Sequence, residues 1–157
     1  MLAFCQPIRS GGTGSTFGPT RSKLSVSGVG ATKDSNCSFD IEISKGVGII
    51  TPTIANELSG WVHFTLPTPS GSSSSRAALR RVDLDFDAVE AYIDEVEVFV
   101  GSSKVHHIER GDRQTRSFGQ SIPGVPAYTG GGISVSVLVG FDDLDGSITF
   151  NCVSVEN

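Results

Sequence analysis

The sequence predicts an all-β fold, an antiparallel β-sandwich of jelly-roll type with roughly eight to ten short strands. Three observations carry that expectation. Apolar residues recur at every second position in short runs. Those runs are set roughly ten residues apart and are separated by Gly, Ser and Pro. The helix formers Ala, Leu, Glu and Lys never cluster at helical spacing. A chain of 157 residues, 38% of them apolar, is of one-domain size. It buries roughly two-thirds of its unfolded surface, enough for a core that needs no disulfide framework. A closed barrel is the alternative architecture.

Residues 1–22, rich in Gly and Ser, predict a flexible or loop-like lead-in, which leaves 23–157 as a single sandwich domain. Leu24 and Val26 open the alternation. Cys37, Phe39, Ile41 and Ile43 alternate with Ser38, Asp40, Glu42 and Ser44, the pattern of a half-buried strand. Residues 47–50 form a shorter strand stopped by Pro52. The next runs from Trp61 to Leu66 and is closed by Pro67 and Pro69. The serine run at 70–75 has linker composition and predicts a surface loop. Beyond it Val82, Leu84 and Phe86 alternate with Asp83, Asp85 and Asp87, like charges that deter pairing along a sheet edge. Val96 and Val98 alternate with Glu95 and Glu97, and a short strand over 104–108 follows the Gly101-Ser102-Ser103 turn. Residues 109–131 lack periodicity, hold Pro123 and Pro126, and predict a long loop. The runs 133–141 and 148–152 alternate cleanly, and Asp145-Gly146 between them predicts a hairpin.

A formal charge of −5 excludes the basic footprint of a nucleic-acid binder. The one cluster of arginines, Arg110, Arg113 and Arg116, is broken by Glu109 and Asp112, so a polybasic membrane patch is also absent. No run has the length of a membrane span. Cys5, Cys37 and Cys152 are odd in number and lack metal spacing. Cys37 and Cys152 stand in phase with apolar neighbours, as small buried hydrophobes do. The opening Met1-Leu2-Ala3-Phe4-Cys5-Gln6-Pro7 has too short an apolar run for a secretory leader. Thiols without a disulfide pattern and no leader together predict a cytoplasmic location.

Among residues that carry chemistry, Trp61-Val62-His63-Phe64 is the most informative. Alternation puts Val62, Phe64 and Leu66 on the core face and therefore Trp61 and His63 together on the opposite face. A Trp beside a His on a polar face suits stacking of a sugar or another flat ligand. Tyr92 and Tyr128, the two tyrosines, are further candidates for ligand contact. His106 and His107 point to opposite faces and cannot chelate one metal without a bulge, and His63 is distant in sequence, so neither a metal site nor a cofactor is expected. His63, His106 and His107, with Glu109 as carboxylate partner, are the candidates for acid–base catalysis. Asp142-Asp143-Leu144-Asp145-Gly146-Ser147 fails the EF-hand pattern, with Phe141 at its first position and Cys152 at its twelfth; a solvated tip is the simpler reading. Gly12-Thr13-Gly14-Ser15-Thr16-Phe17-Gly18 misses the dinucleotide fingerprint, and no Gly-x-Ser-x-Gly elbow occurs.

The run Gly60-Trp61-Val62-His63-Phe64-Thr65-Leu66-Pro67-Thr68-Pro69 resembles the signature of an uncharacterised family of small all-β proteins, Trp-x-His-Phe followed by Pro-Thr-Pro. The likeness continues through Val82, Leu84 and Phe86, the block from Ile93 to Gly101, and the segment opening at Gly132, about residues 58–155 in all. Family members tend to carry His where this chain has Glu97, and Asp where it has Val100. The resemblance implies an all-β fold, points at Trp61 and His63, and transfers no activity.

Three functions follow as expectations, the third of them a structural or oligomeric partner protein with no small ligand. One is a binding module that presents Trp61, His63 and the 109–131 segment to a small molecule or sugar. The alternative is a cofactor-free cyclase or isomerase of a biosynthetic pathway, in which His or carboxylate side chains move protons inside a β-fold cavity. In each case no nucleic acid or membrane is expected as partner, and association with a second copy of the chain stays open.

Overall fold

Each alternating run becomes a strand in a computed structural model of the chain, which describes residues 23–67, 79–123 and 132–156. Among the described residues there are eleven strands, β1 (Lys23–Ser27), β2 (Ala31–Lys33), β3 (Phe39–Ser44), β4 (Val47–Pro52), β5 (Ser59–Leu66), β6 (Arg81–Val89), β7 (Ala91–Val100), β8 (Ser103–Gln114), β9 (Arg116–Ser121), β10 (Ile133–Phe141) and β11 (Ser147–Glu156). They form two antiparallel sheets. The first runs β3-β4-β11-β6-β9 with β1 also paired to β11, and the second runs β2-β5-β10-β7-β8. Both sheets keep open edges, so the architecture is a sandwich and not a barrel. Lys45 and Gly46, with φ of 50° and 89°, make the two-residue turn between β3 and β4.

The core is the sum of the inward sets. Val62, Phe64 and Leu66 of β5 with Val135, Val137 and Val139 of β10 line the inner side of the second sheet, and Val82, Leu84 and Phe86 of β6 with Ile148 and Phe150 of β11 line that of the first, all buried. Cross-sheet ring contacts fix the spacing, with Phe64 and Phe150 at 4.9 Å between centroids and Phe39 and Phe141 at 5.2 Å.

Three expectations are corrected. The last two strands are not a hairpin: β10 pairs with β5 and β7, whereas β11 pairs with β1, β4 and β6 in the other sheet. Residues 142–146 arch across the end of the sandwich, held where the Phe141 N–H donates to Leu58 O and the Asp142 N–H to Glu90 O. The apolar faces of β10 and β11 meet across the core instead of lying side by side. The long loop expected at 109–131 is strand as far as Ser121. The chain leaves one sheet at Thr115 and joins the other, and β8 and β9 are edge strands with few buried side chains, which erases the period-two pattern. Finally, β6 is interior, hydrogen-bonded to β11 on one side and β9 on the other, so Asp83, Asp85 and Asp87 guard no edge.

No helix of the described residues is long and apolar enough to cross a membrane. The lead-in 1–22 with Cys5, the serine run at 70–75, and Tyr128 with the rest of 124–131 lie outside the described residues.

Candidate functional site

The outward face of the second sheet gathers most of the side chains that the sequence nominates. Register sets Thr32, His63, Ser136, Glu97 and His107 in one row across five strands. The next row is Trp61, Leu138, Glu95 and Glu109. Tyr92 lies opposite Gly140 one step further along β7. Trp61, His63, Tyr92, His107 and Glu109 therefore share a face. Sharing a face is not meeting, however. Strand spacing puts His63 and His107 about 14 Å apart, three strands of about 4.8 Å each.

Trp61 is partly exposed and forms, with Leu138, the apolar wall of a surface cleft of 390 Å³. Asp34, Asn36, Asn56 and Glu57 supply the polar side. The loop after β2 is pinned there by backbone bonds from Asp34 N to Trp61 O and from Cys37 N to Asp34 O. It also needs Gly60, because a Cβ at that position would stand 2.4 Å from the Cys37 sulfur. Across the cleft Glu57 accepts a hydrogen bond from the Ser38 hydroxyl.

His63 links this loop to the sheet. Its Nε2 lies 2.8 Å from Asp34 Oδ1 and its Nδ1 2.8 Å from Ser136 Oγ. A carboxylate only accepts, so Nε2 carries the proton; in the neutral ring Nδ1 then accepts the Ser136 hydroxyl. Ser136 is 5% exposed. Both ring nitrogens are thus engaged, and His63 acts as the strut that aims Asp34 along the cleft wall.

Tyr92 is closed off. Its ring lies over Gly140, where a Cβ would stand 2.4 Å from it. The Arg113 guanidinium stacks on the ring, 3.9 Å from its centroid, and reaches Asp142 at 3.0 Å. Only 8% of Tyr92 is exposed, which leaves little of it for a ligand. Asp142, Asp143 and Asp145 surround Glu90 nearby. The Asp143 charge, then partial desolvation and a hydrogen bond to Asp143, then Asp145 and Asp142, raise the Glu90 carboxyl above its ordinary range.

The two adjacent histidines part company as alternation requires. His107 faces outward, with Nε2 2.9 Å from Glu95 Oε2. His106 is paired to the inward Val98, and a register shift beside that pair marks a bulge at Val105. His106 Nε2 is buried with no hydrogen-bond partner among the described residues. Burial first, and then the neighbouring His107, lowers the His106 pKa. A lowered folded pKa means that the unfolded chain binds the proton more readily. This contribution to stability is therefore complete above the unfolded value of about 6.5 and is lost as pH falls through the lowered folded value. Urea unfolding is expected to show the protein weaker at about pH 5.5 than at about pH 7.5. His106→Leu is expected to flatten that dependence and to add about 1 kcal/mol near neutrality by removing an unsatisfied buried nitrogen. An unchanged acid limb in that variant would assign the effect to other groups.

The sequence reasoning missed three groups. Asp34, Asn36, Asn56 and Glu57 sit in turns, where no periodicity announces a role. Glu95 and Glu97 read as the wet side of a strand, yet with His107 they bring metal-ligating atoms within 4.8 Å of one another. On the other sheet lies a groove of 570 Å³, lined by Lys23, Asp83, Asp85 and Ser117 together with Leu84, Phe118 and Cys152. There Asp83 is held by Arg81 at 2.6 Å and Lys23 at 3.5 Å, and Asp85 by Ser117 at 3.1 Å and Asn151 at 3.3 Å.

No family model matches the chain, and no curated protein matches it in sequence. Solved structures do superpose on it. A low affinity xylan binding module, CBM86, from Roseburia intestinalis is 14% identical with a TM-score of 0.55, covering 85% of this chain and 94% of that one. The CBM36-1 domain of a multidomain xylanase from the hindgut metagenome of Trinervitermes trinervoides is 11% identical with a TM-score of 0.46, over 85% and 96% of the two chains. A cyclase from Fischerella sp. TAU is 10% identical with a TM-score of 0.41, over 80% and 72%. At identities this low, the likeness to the xylan binding module is one of fold: this chain has the same kind of β-sandwich.

Proposed function

We propose that the protein is a binding module for a small polyhydroxylated ligand, a carbohydrate first among these, held in the cleft beside Trp61. The observation that carries this reading is the composition of the cleft. Its lining combines the exposed part of an indole and Leu138 with the polar side chains of Asp34, Asn36, Asn56 and Glu57. A sugar has that same division, with an apolar C–H face that stacks on an aromatic ring and hydroxyls that pair with carboxylates and amides. The cleft volume falls within the ~300–1,000 Å³ of small-ligand sites. Asp34 is already oriented by His63 at 2.8 Å, so little ordering is left to oppose binding. One solved structure that shares this fold, at a TM-score of 0.55, is a xylan binding module, which makes xylo-oligosaccharides the first ligands to try.

The acid–base enzyme reading has less support. His63 has no ring nitrogen to offer a substrate, His106 faces inward, and His107 stands about 14 Å from His63 across the sheet.

Trp61 is the only tryptophan in the chain, so intrinsic fluorescence reports directly on the proposed site. Titration with a panel of xylo-, cello- and manno-oligosaccharides is expected to give a saturable change in emission, with Kd of about 0.1–1 mM for so open a cleft. A flat titration across the whole panel, together with a blank glycan array, would remove the reading.

A further inference from the structure

We propose that Glu95, Glu97 and His107 form a binding site for a divalent transition ion of the zinc class, on the outward face of β7 and β8. Three observations lead there. Glu97 and His107 are directly opposed in register, and Glu95 lies two residues from Glu97 on the same face, so one imidazole and two carboxylates converge from two neighbouring strands. One ligand atom from each lies within 4.8 Å of the other two. In a tetrahedral zinc site with bonds of ~2 Å the ligand atoms stand about 3.3 Å apart, which rotamer adjustment of the two glutamates supplies without moving the backbone.

The second observation concerns charge. Two carboxylates on one patch of sheet repel, and here Lys104 Nζ, 2.8 Å from Glu97, offsets one charge while His107 Nε2 lies within hydrogen-bond reach of Glu95 at 2.9 Å. A divalent ion placed between the three ligands neutralises both carboxylates and releases Lys104 to solvent, where its side chain is already 48% exposed. The third is the donor set itself. One nitrogen and two carboxylate oxygens suit zinc and its neighbours in the first transition row better than calcium, which prefers oxygen alone. Outward placement leaves the remaining coordination positions to water. The site lies two strands or more from Trp61 and needs no ligand in the cleft beside it.

The test is calorimetric titration of the whole chain with zinc chloride alone. The expected result is one ion per chain with a micromolar Kd. His107→Asn and Glu97→Gln are each expected to weaken it by at least roughly tenfold, and Lys104→Met, which removes the competing ammonium, to tighten it several-fold. Thermal midpoints without metal are recorded for each variant, and the surface position of Lys104 and His107 keeps at least two of the three informative. Cobalt absorption identifies the ligand type, with nitrogen–oxygen bands expected and no thiolate charge transfer. The proposal is overturned by a wild-type chain that takes up no zinc. It is equally overturned by zinc binding that all three substitutions leave unchanged, or by a thiolate spectrum, which would move the ion to a cysteine.

Discussion

Replacing Phe150 with alanine is expected to lower the stability of the fold by about 3–5 kcal/mol, the largest effect of any single substitution considered. Phe150 is fully buried on β11 and sits where the two sheets meet. Its ring lies 4.9 Å from Phe64 of the opposite sheet and 5.9 Å from Phe86 on the adjacent strand, and Phe86 in turn meets Phe118 at 6.3 Å. Alanine would forfeit the transfer energy of the ring and open a cavity lined by two further aromatics that strands on both sides prevent from collapsing. Against a total stability of about 5–15 kcal/mol for a domain of this kind, that loss leaves a population of unfolded chains. Phe150→Leu keeps most of the volume and is expected to cost less, about 1.5 kcal/mol. Urea unfolding separates the two through the transition midpoint at constant slope. A loss below about 1 kcal/mol for the alanine variant would mean that the sheets are not joined through this cluster.

The position of Phe150 was legible in the sequence, but its partners were not. Alternation assigns a residue to a face because successive side chains on a strand point opposite ways, and this sorted Val62, Phe64 and Leu66 from Trp61 and His63 without error. It carries no information on which strand lies alongside. The runs 133–141 and 148–152 are separated by a good turn sequence and look like a hairpin, yet the 142–146 connection crosses between sheets. A hairpin and an arch present the same alternation. Only the pairing of both strands with distant partners decides between them. Residues 109–121 failed for a different reason, since edge strands bury little on either side and leave no apolar period to read.

The same division applies to the functional face. Trp61 and His63 were found because one strand carries both. The ligand triad of Glu95, Glu97 and His107 depends on the cross-strand register of β7 and β8, which the bulge at Val105 resets. The polar wall of the cleft comes from turns at 34–38 and 54–58, where position is dictated by long-range contacts such as Cys37 against Gly60. Sequence periodicity ends where such turns begin, and the cleft is assembled from them.

Trp61→Ala is expected to weaken sugar binding by about 2 kcal/mol, roughly thirtyfold, while leaving the fold intact. The indole supplies the stacking surface of the proposed cleft, and because it faces outward its removal opens no cavity in the core, so the unfolding midpoint should move little. Trp61→Tyr retains an aromatic face and should recover most of the affinity. Asn56→Ala removes one amide from the cleft lining and should cost about 1 kcal/mol, the value of a single hydrogen bond. Calorimetry is the measurement, because the variant that matters most has lost the fluorophore. The competing location is the 570 Å³ groove on the other sheet, larger but without an indole to stack on. Asp85 lines that groove far from Trp61, on the opposite outer face of the sandwich, so Asp85→Ala is the matched control. Loss of binding with Trp61→Ala and none with Asp85→Ala locates the ligand beside Trp61. The reverse pattern would transfer it to the groove between β1 and β9, where Phe118, Leu84 and Cys152 line the site together with Lys23, Asp83 and Asp85.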